Sequence, residues 1–289
     1  MATSGKLPFA SDYQQGAHPK ILERMVAANM ETNAGYGLDA HSEHARSLIR
    51  KACETPQAEI YFLVGGTQAN AVALDALLAP WQGVVAPASG HVSIHEAGAI
   101  EAGGHKVIQL PGRSGRLDAA DVDALAASWK HDENRGHMVM PGTVYISQPT
   151  EYGTLYTLEE LSALRAACDA HDMRLYVDGA RLAYALAAPA NDVQLADLAR
   201  LADAFYIGGT KCGTLLGEAM VFPTPGTCPH FFTLMKQHGA LLAKGMVAGI
   251  QFETLFNETL YQRIGRRAVE QASRIAVAFQ AAGYELVIP

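Results

Sequence analysis

The sequence AFYIGGTK at residues 204–211 is the stretch from which the fold is best predicted. Its first four residues form an apolar run of the length expected for a strand that is buried on both faces. Gly208 and Gly209 then allow a sharp turn and leave room for a flat group. Lys211 follows at the sheet edge beside apolar surface, where a lysine can lose its proton near neutral pH and attack a carbonyl group. A solvated loop lysine is the alternative interpretation.

Strands and helices alternate along most of the chain. Besides 204–207, strands are predicted at Ile60–Val64, Val84–Ala86, Lys106–Leu110, Thr143–Ser147, Arg174–Asp178 and Ala219–Phe222. Helical patterns lie between them, for example at Ile94–Ala102. The alternation predicts an α/β fold, a three-layer sandwich in which helices cover both faces of a roughly seven-stranded, mostly parallel sheet.

The pattern changes after residue 222. Two helical regions, 231–256 with a middle broken by glycines and 264–282, lead to a last predicted strand, Tyr284–Ile288. We therefore expect an N-terminal arm and helix at 1–45, a large cofactor-binding domain at 46–250, and the start of a small C-terminal α+β domain at 251–289.

Composition restricts the class of protein. The 289 residues are 49% hydrophobic and 18% charged, as in an ordinary globular enzyme. A net charge of −7 with interspersed signs argues against nucleic acid and membrane as partners, and no apolar run is long enough to span a bilayer. Residues 1–12 lack the features of a signal peptide. Since the four scattered cysteines form no Cys-x-x-Cys pair, a reduced, cytoplasmic protein is predicted.

Chemically useful residues follow several predicted strands. The carboxyl ends of parallel strands meet at one edge of the sheet, where ligands bind. Gly65, Gly66 and Thr67 follow a strand and begin a helix, whose free N–H groups suit a phosphate. A plain strand–helix turn is the alternative. The stretch matches neither Gly-x-Gly-x-x-Gly nor Gly-Lys-Ser/Thr, which disfavours a dinucleotide or ATP.

Three further side chains complete a recognisable set. Asp178 ends a strand and can pair with a cationic ring nitrogen or cap the next helix; Arg181 can reach the same ligand or form a surface ion pair. His91 can stack on a flat ring, and with His95 it has the spacing of two zinc ligands on a helix, without the His-Glu-x-x-His pattern. A phosphate site, a stacking imidazole, a carboxylate and an amine are together the requirements of pyridoxal 5′-phosphate.

These segments resemble the threonine aldolase family, which belongs to the β-eliminating lyases of the aspartate-aminotransferase (type I) fold. The segments that carry the resemblance are Gly65–Asn70, His91 with Glu96–Gly98, Val177–Arg181 and Gly209–Lys211. The resemblance implies retro-aldol cleavage of a β-hydroxy-α-amino acid, threonine or allo-threonine, to glycine and acetaldehyde. The alternatives are another pyridoxal phosphate-dependent β-eliminating lyase or a racemase, a catalytically impaired cofactor-binding protein, and a metal hydrolase.

The resemblance also implies roles for single residues in the large domain. Lys211 binds the cofactor aldehyde covalently, and Asp178 keeps the ring nitrogen protonated. His91 stacks on the ring and is one candidate for the proton-transfer group. Gly66 and Thr67 bind the phosphate.

Other implied roles concern the substrate and a second subunit. Arg181 contacts the cofactor or the substrate carboxylate, and Ser11 contacts that carboxylate. Tyr36 serves the substrate site of the partner, while Lys236 and Lys244 reach the phosphate of the neighbouring subunit. Sites shared in this way imply a homodimer or homotetramer.

Two departures from the family pattern stand out. Glu151 replaces a histidine that relatives carry after the strand 143–147, which affects either the side-chain specificity or the proton-transfer partner. Relatives also extend further and usually place a carboxylate-binding arginine in the small domain. We therefore expect this domain to be incomplete within the 289 residues.

Overall fold

The computed structural model describes residues 9–288. Its helices are α1 (Pro19–Ala28), α2 (Ala40–Ala52), α3 (Gly66–Leu77), α4 (His91–Ile94), α5 (Ala99–Ala102), α6 (Ala119–His131), α7 (Leu158–Ala170), α8 (Leu182–Ala187), α9 (Leu195–Leu201), α10 (Phe231–Gln237), α11 (Met246–Phe256) and α12 (Leu260–Ala281). Its strands are β1 (Glu59–Leu63), β2 (Gln82–Pro87), β3 (Val107–Leu110), β4 (Met140–Ser147), β5 (Arg174–Asp178), β6 (Ala204–Gly208) and β7 (Glu218–Phe222). Within residues 9–288, no helix combines the length and apolar character that crossing a bilayer requires.

The strands form one sheet in the order β1-β7-β6-β5-β4-β2-β3. Every neighbouring pair is parallel except the two pairs that β7 makes, with β1 and with β6. The prediction of a seven-stranded, mostly parallel sheet is confirmed. Because β7 runs the opposite way, its first residue, Glu218, lies opposite Leu63 and Gly208 at the edge where β1 and β6 end.

Side chains alternate across the sheet and pack into two apolar cores. Ile146 and the side chains of neighbouring strands on the same face of the sheet belong to the larger core. This core also includes residues of α7, α8 and α11. Tyr145, Tyr176 and Tyr206 belong to the other, against α3, and are at most 1% exposed. Three buried phenol groups are therefore placed between the sheet and α3, close to the carboxyl edge.

Two predicted elements differ in the structure. The helix expected at 94–102 is divided into α4 and α5, because Ala97 and Gly98 adopt left-handed φ angles of 52° and 71°. The strand predicted at Tyr284–Ile288 is wrong: this segment is largely exposed and pairs with no strand of the described sheet, and an apolar segment forms a stable strand only against a partner edge. The glycine break expected within the helical region 231–256 is confirmed, because the helix is interrupted between α10 and α11, where Gly239 has a φ of 67°. The domain boundaries near residues 45 and 250 stay predictions.

Candidate active site

The carboxyl edge of the sheet opens into a cavity of about 340 Å³. This volume lies in the range of roughly 300–1,000 Å³ that is typical of small-ligand pockets. The lining comes mainly from the ends of β4, β5 and β6, the start of β7, and the first turns of α3 and α4. Among the residues that the sequence assigns to a site, the cavity brings together Gly66, Thr67, His91, Glu151, Asp178, Arg181 and Lys211.

Asp178 faces this cavity as a buried carboxylate that is 3% exposed. Its Oδ1 accepts hydrogen bonds from the Tyr206 hydroxyl at 2.6 Å and the Ala180 N–H at 2.9 Å. Its Oδ2 accepts from the Tyr145 hydroxyl at 2.8 Å and from Asn70 Nδ2 at 3.0 Å. Four donors favour the ionised form, because a carboxylate can only accept. Asp178 therefore offers a fixed negative charge to a ligand.

Sequence reasoning missed the groups that hold Asp178. A tyrosine between apolar residues is typical of a strand core, and only the repetition of this triplet around Tyr145, Tyr176 and Tyr206 could have indicated more. Burial raises the pKa of all three phenols well above its usual value, so they remain donors. Asn70 on α3 accepts from Tyr176 at 3.0 Å and joins Asp178 to α3.

His91 is held by a second carboxylate. Its Nδ1 lies 2.7 Å from Oε1 of Glu96, whose side chain is fully buried and also accepts from Asn70. The hydrogen bond with Glu96 raises the pKa of His91, and burial opposes this only in part. His95 also lines the cavity, with its ring centroid 5.7 Å from that of His91. In the described part of the chain, no three His, Cys, Asp or Glu side chains are arranged to hold a metal ion.

Glu151, which departs from the family pattern, lies beside His91. Its Oε1 accepts from the His91 N–H and the Ser147 hydroxyl, both at 2.8 Å. Its Oε2 is buried and has no hydrogen-bond partner among residues 9–288. Burial raises the pKa of Glu151, which makes its carboxylate a stronger base than a solvated one. Ser147 Oγ lies 3.1 Å from the Tyr145 hydroxyl oxygen, and each hydroxyl donates its one proton to a carboxylate, Ser147 to Glu151 and Tyr145 to Asp178.

The N-terminus of α3 lies at the cavity. Gly65, the N-cap, has no side chain that could accept from the N–H groups of the first turn, and these groups are left for a ligand. A Cβ atom at Gly66 would lie 3.1 Å from the Tyr206 hydroxyl, so a larger residue would crowd this turn. Thr67 adds a hydroxyl at the same point. The geometry suits a phosphate.

Lys211 and Glu218 both line the cavity. Of the two, Glu218 was not predicted from the sequence. The main-chain carbonyl of Lys211 accepts a hydrogen bond from the Tyr184 hydroxyl, which fixes the backbone there. Glu218 is 3% exposed, and its Oε2 accepts from the Gly209 N–H at 2.9 Å. Burial raises the pKa of Glu218 to about 8. The sequence shows only a charged residue before an apolar strand, with no sign of this burial.

Arg181 is paired with a residue of the N-terminal arm. Its Nε and Nη2 donate to the two carboxylate oxygens of Asp12 at 2.6 and 3.1 Å. The next residue of the arm, Tyr13, lines the cavity, whereas Ser11 does not. The arm therefore lies at the cavity, where Asp12 contacts Arg181.

Besides Ser11, three predicted site residues do not line the cavity. The ammonium of Lys236 is 4.9 Å from the ring centroid of Tyr36, and Tyr36 lines a separate cavity of about 240 Å³ beside α2 and β1. Lys244 is exposed. The single chain does not bring these side chains to Lys211.

The fold and the cavity are those of a type I pyridoxal phosphate enzyme. The chain belongs to the beta-eliminating lyase family, whose model matches residues 8–283. This confirms the class predicted from the sequence.

Individual relatives agree with this assignment. A low specificity L-threonine aldolase of Pseudomonas sp. (strain NCIMB 10558) is 31% identical over 288 residues, which cover 97% of this chain and 81% of that protein. One from Pseudomonas aeruginosa is 33% identical over 239 residues, or 82% and 67% of the two chains. The structure of Leishmania major threonine aldolase has a TM-score of 0.94 at 45% identity and covers 97% of this chain and 81% of its own. Thermus thermophilus aspartate aminotransferase, at 17% identity and a TM-score of 0.73 over 97% and 73% of the chains, shares the fold.

The residues of the cavity fit pyridoxal 5′-phosphate. A buried carboxylate with four donors suits the protonated ring nitrogen, and the uncapped start of α3 suits the phosphate. Lys211 lines the same cavity and supplies the amine. The cofactor predicted from the sequence is confirmed.

Proposed function

We propose that this protein cleaves a β-hydroxy-α-amino acid, threonine or allo-threonine, to glycine and acetaldehyde. The observation that carries the proposal is the convergence of Asp178, Lys211 and the start of α3 on one cavity, in a chain whose named relatives are threonine aldolases. When bound, pyridoxal phosphate supplies an electron sink for the charge left at Cα when the Cα–Cβ bond breaks.

The residues of the cavity divide the binding work. Asp178 binds the ring nitrogen, and its four donors keep it charged and in place. Gly66 and Thr67 bind the phosphate through the first turn of α3. His91, oriented by Glu96, would stack on the ring of the bound cofactor. Lys211 would supply the amine that holds the cofactor aldehyde.

We propose that Glu151 is the base that accepts the proton of the substrate hydroxyl group. Its free Oε2 and its raised pKa suit a general base, which works best when its pKa is near the operating pH. Ser147 and the His91 N–H hold the other oxygen, so Oε2 is oriented. Glu151→Gln should lower kcat by roughly 10²–10⁴-fold, the usual range for a lost general base, while cofactor binding persists. An unchanged kcat would exclude this role.

We propose that Arg181 binds the substrate carboxylate. The pair with Asp12 occupies Nε and Nη2, which leaves Nη1 for the substrate unless the arm moves. Ser11, the neighbour of Asp12, is proposed to assist when the arm is in place.

We propose that Tyr36, Lys236 and Lys244 act in the site of a partner subunit. The support is their location outside the cavity of their own chain. Sedimentation of the purified protein should give two or four times the chain mass of 30.8 kDa, and a monomer that is fully active would exclude shared sites. A cytoplasmic location, supported by four free, buried cysteines, is part of the same proposal.

Lys211→Met tests the proposal, with Lys51→Met on the exposed side of α2 as the matched control. The wild type and the control should show the visible absorbance of bound cofactor, trap it at residue 211 with borohydride, and release acetaldehyde and glycine from threonine. Lys211→Met should lose all three properties. Pyruvate and ammonia in place of acetaldehyde and glycine would indicate β-elimination instead, and turnover by Lys211→Met would refute the assignment of the lysine.

A further inference from the structure

The described part of the N-terminal arm, residues 9–18, is joined to the rest of the chain by few hydrogen bonds. It forms no helix or strand. At its end the His18 N–H donates to the Gly213 carbonyl at 2.8 Å. Among the other arm residues, and within residues 9–288, only Asp12 forms hydrogen bonds outside the arm, and both come from Arg181. One ion pair therefore connects most of the arm to the cavity.

Arg181 in turn depends on the arm for a hydrogen-bond acceptor. Its guanidinium carries five N–H donors in a rigid plane, and Asp12 accepts from Nε and Nη2 at 2.6 and 3.1 Å. Asp178 is the other carboxylate whose charge acts on Arg181, but its oxygens already accept four hydrogen bonds. Nη1 makes no hydrogen bond in the described part of the chain, although Arg181 lines the cavity. Nη1 is therefore the donor that is left for a ligand.

We propose that Asp12 is a positioning residue, which holds the guanidinium of Arg181 by Nε and Nη2 and so leaves Nη1 in place for the α-carboxylate of the substrate. This inference rests on the proposed role of Arg181. An arginine that a second carboxylate already holds loses less side-chain freedom when its ligand binds. Asp12 also repels the incoming carboxylate. Because both side chains of the pair are partly exposed, water and salt screen this repulsion.

The first test compares the binding of glycine with that of methylamine, which is glycine without its carboxylate. Absorbance titration of the protein loaded with pyridoxal phosphate gives both dissociation constants, and their ratio measures what the carboxylate contributes. Arg181→Met should lower the preference for glycine by about tenfold or more, because a hydrogen bond to a charged group is lost. Asp12→Ala should lower it by about two- to twelvefold, the cost of immobilising one long side chain on binding, while methylamine binds both proteins alike.

The second test follows the Nε–H of Arg181 by NMR in the cofactor-free protein labelled at its arginines. The signal is assigned by its absence in Arg181→Met. In the wild type this hydrogen is donated to Asp12, so it should exchange with water more slowly than in Asp12→Ala. Equal exchange rates in the two proteins would show that the ion pair does not hold the guanidinium, and would overturn the proposal.

Glu23→Ala is the matched control for both tests. It removes one carboxylate from the exposed side of α1, beside a different cavity, and should behave as the wild type does. An unchanged preference for glycine in Asp12→Ala overturns the proposal, and so does a raised one, which would mean that Asp12 competes with the substrate for Arg181.

The outcomes separate this inference from the proposed function. A preference for glycine that is lost in Arg181→Met and kept in Asp12→Ala contradicts the positioning role alone. A preference that survives in Arg181→Met contradicts the proposed binding of the carboxylate by Arg181 as well. Neither test requires the cleavage of threonine, so a chain that passes both and fails to release acetaldehyde would contradict only the proposed reaction.

Discussion

Replacing Asn70 with alanine tests whether the network beneath the cavity holds Asp178 in place. The amide donates to Glu96 at 2.7 Å and to Asp178 at 3.0 Å, and its oxygen accepts from Tyr176 at 3.0 Å. A hydrogen bond to a charged group contributes about 1.5–3 kcal/mol, and an unsatisfied buried hydroxyl costs about 1–3 kcal/mol. The three losses predict a destabilisation of about 4–9 kcal/mol, a large part of the roughly 5–15 kcal/mol by which a folded protein is stable.

Thermal unfolding of the cofactor-free protein is the assay. One kcal/mol shifts the Tm of a chain of this size by about 2 °C, so the lower limit corresponds to a fall of about 8 °C. Asn29→Ala is the control, because this asparagine is exposed at the end of α1 and its loss should cost under about 0.5 kcal/mol. If Asn70→Ala lowers the Tm no more than Asn29→Ala does, the hydrogen-bond network does not carry the stability assigned to it.

The variant Asn70→Asp separates charge from volume. It keeps the size of the side chain and the acceptor for Tyr176, but it places a third carboxyl group beside Asp178 and Glu96. Like charges at this distance oppose ionisation. The variant should therefore be least stable at neutral pH and recover part of its Tm as the pH falls and protons are shared. A Tm that stays equally low at acid pH would point to a steric cause.

Two further predictions concern histidines. Burial lowers the pKa of His41, but hydrogen bonds to Glu31 and Glu253 outweigh it and raise the pKa above its usual value of about 6.5. The protonated form thus stabilises the fold fully below about pH 6.5, and this contribution is lost as the pH rises through the folded pKa. The difference in Tm between the wild type and His41→Gln should therefore shrink from pH 6 to 9. A constant difference would contradict the reasoning. In Glu96→Gln the pKa of His91 should fall, because the bond to Glu96 is the largest cause of its rise; histidine NMR measures this, and an unshifted titration would show that Glu96 does not set the charge of His91.

Much of the fold could be predicted because its signals are local. Apolar runs bounded by turn residues indicated the strands, and Gly65-Gly66-Thr67 and Gly208-Gly209 marked the turns that surround the cavity. The last strand, Tyr284–Ile288, could not be judged locally, because a strand depends on an edge with which to pair.

The site was predictable where a residue directly follows a strand, and not where its role depends on burial. Asp178 and Lys211 belong to the first kind. Asn70 and Glu218 belong to the second, because the sequence shows neither the hydrogen bonds from α3 nor the reversed direction of β7 that brings Glu218 to the cavity. The pairing of Asp12 with Arg181 was not predicted, because the two residues are 169 positions apart in the chain.

The ion pair between Asp12 and Arg181 makes the site sensitive to the salt concentration. Each side chain is 34% exposed, so mobile ions reach the pair, and the distance over which such charges act falls from about 10 Å at 0.1 M to about 3 Å at 1 M ionic strength. Concentrated salt weakens the hold of the arm and equally weakens the attraction of Arg181 for an incoming carboxylate. The salt concentration therefore affects the side of the cavity that Arg181 lines. Asp178 is buried, so dissolved ions have little effect on its charge interactions.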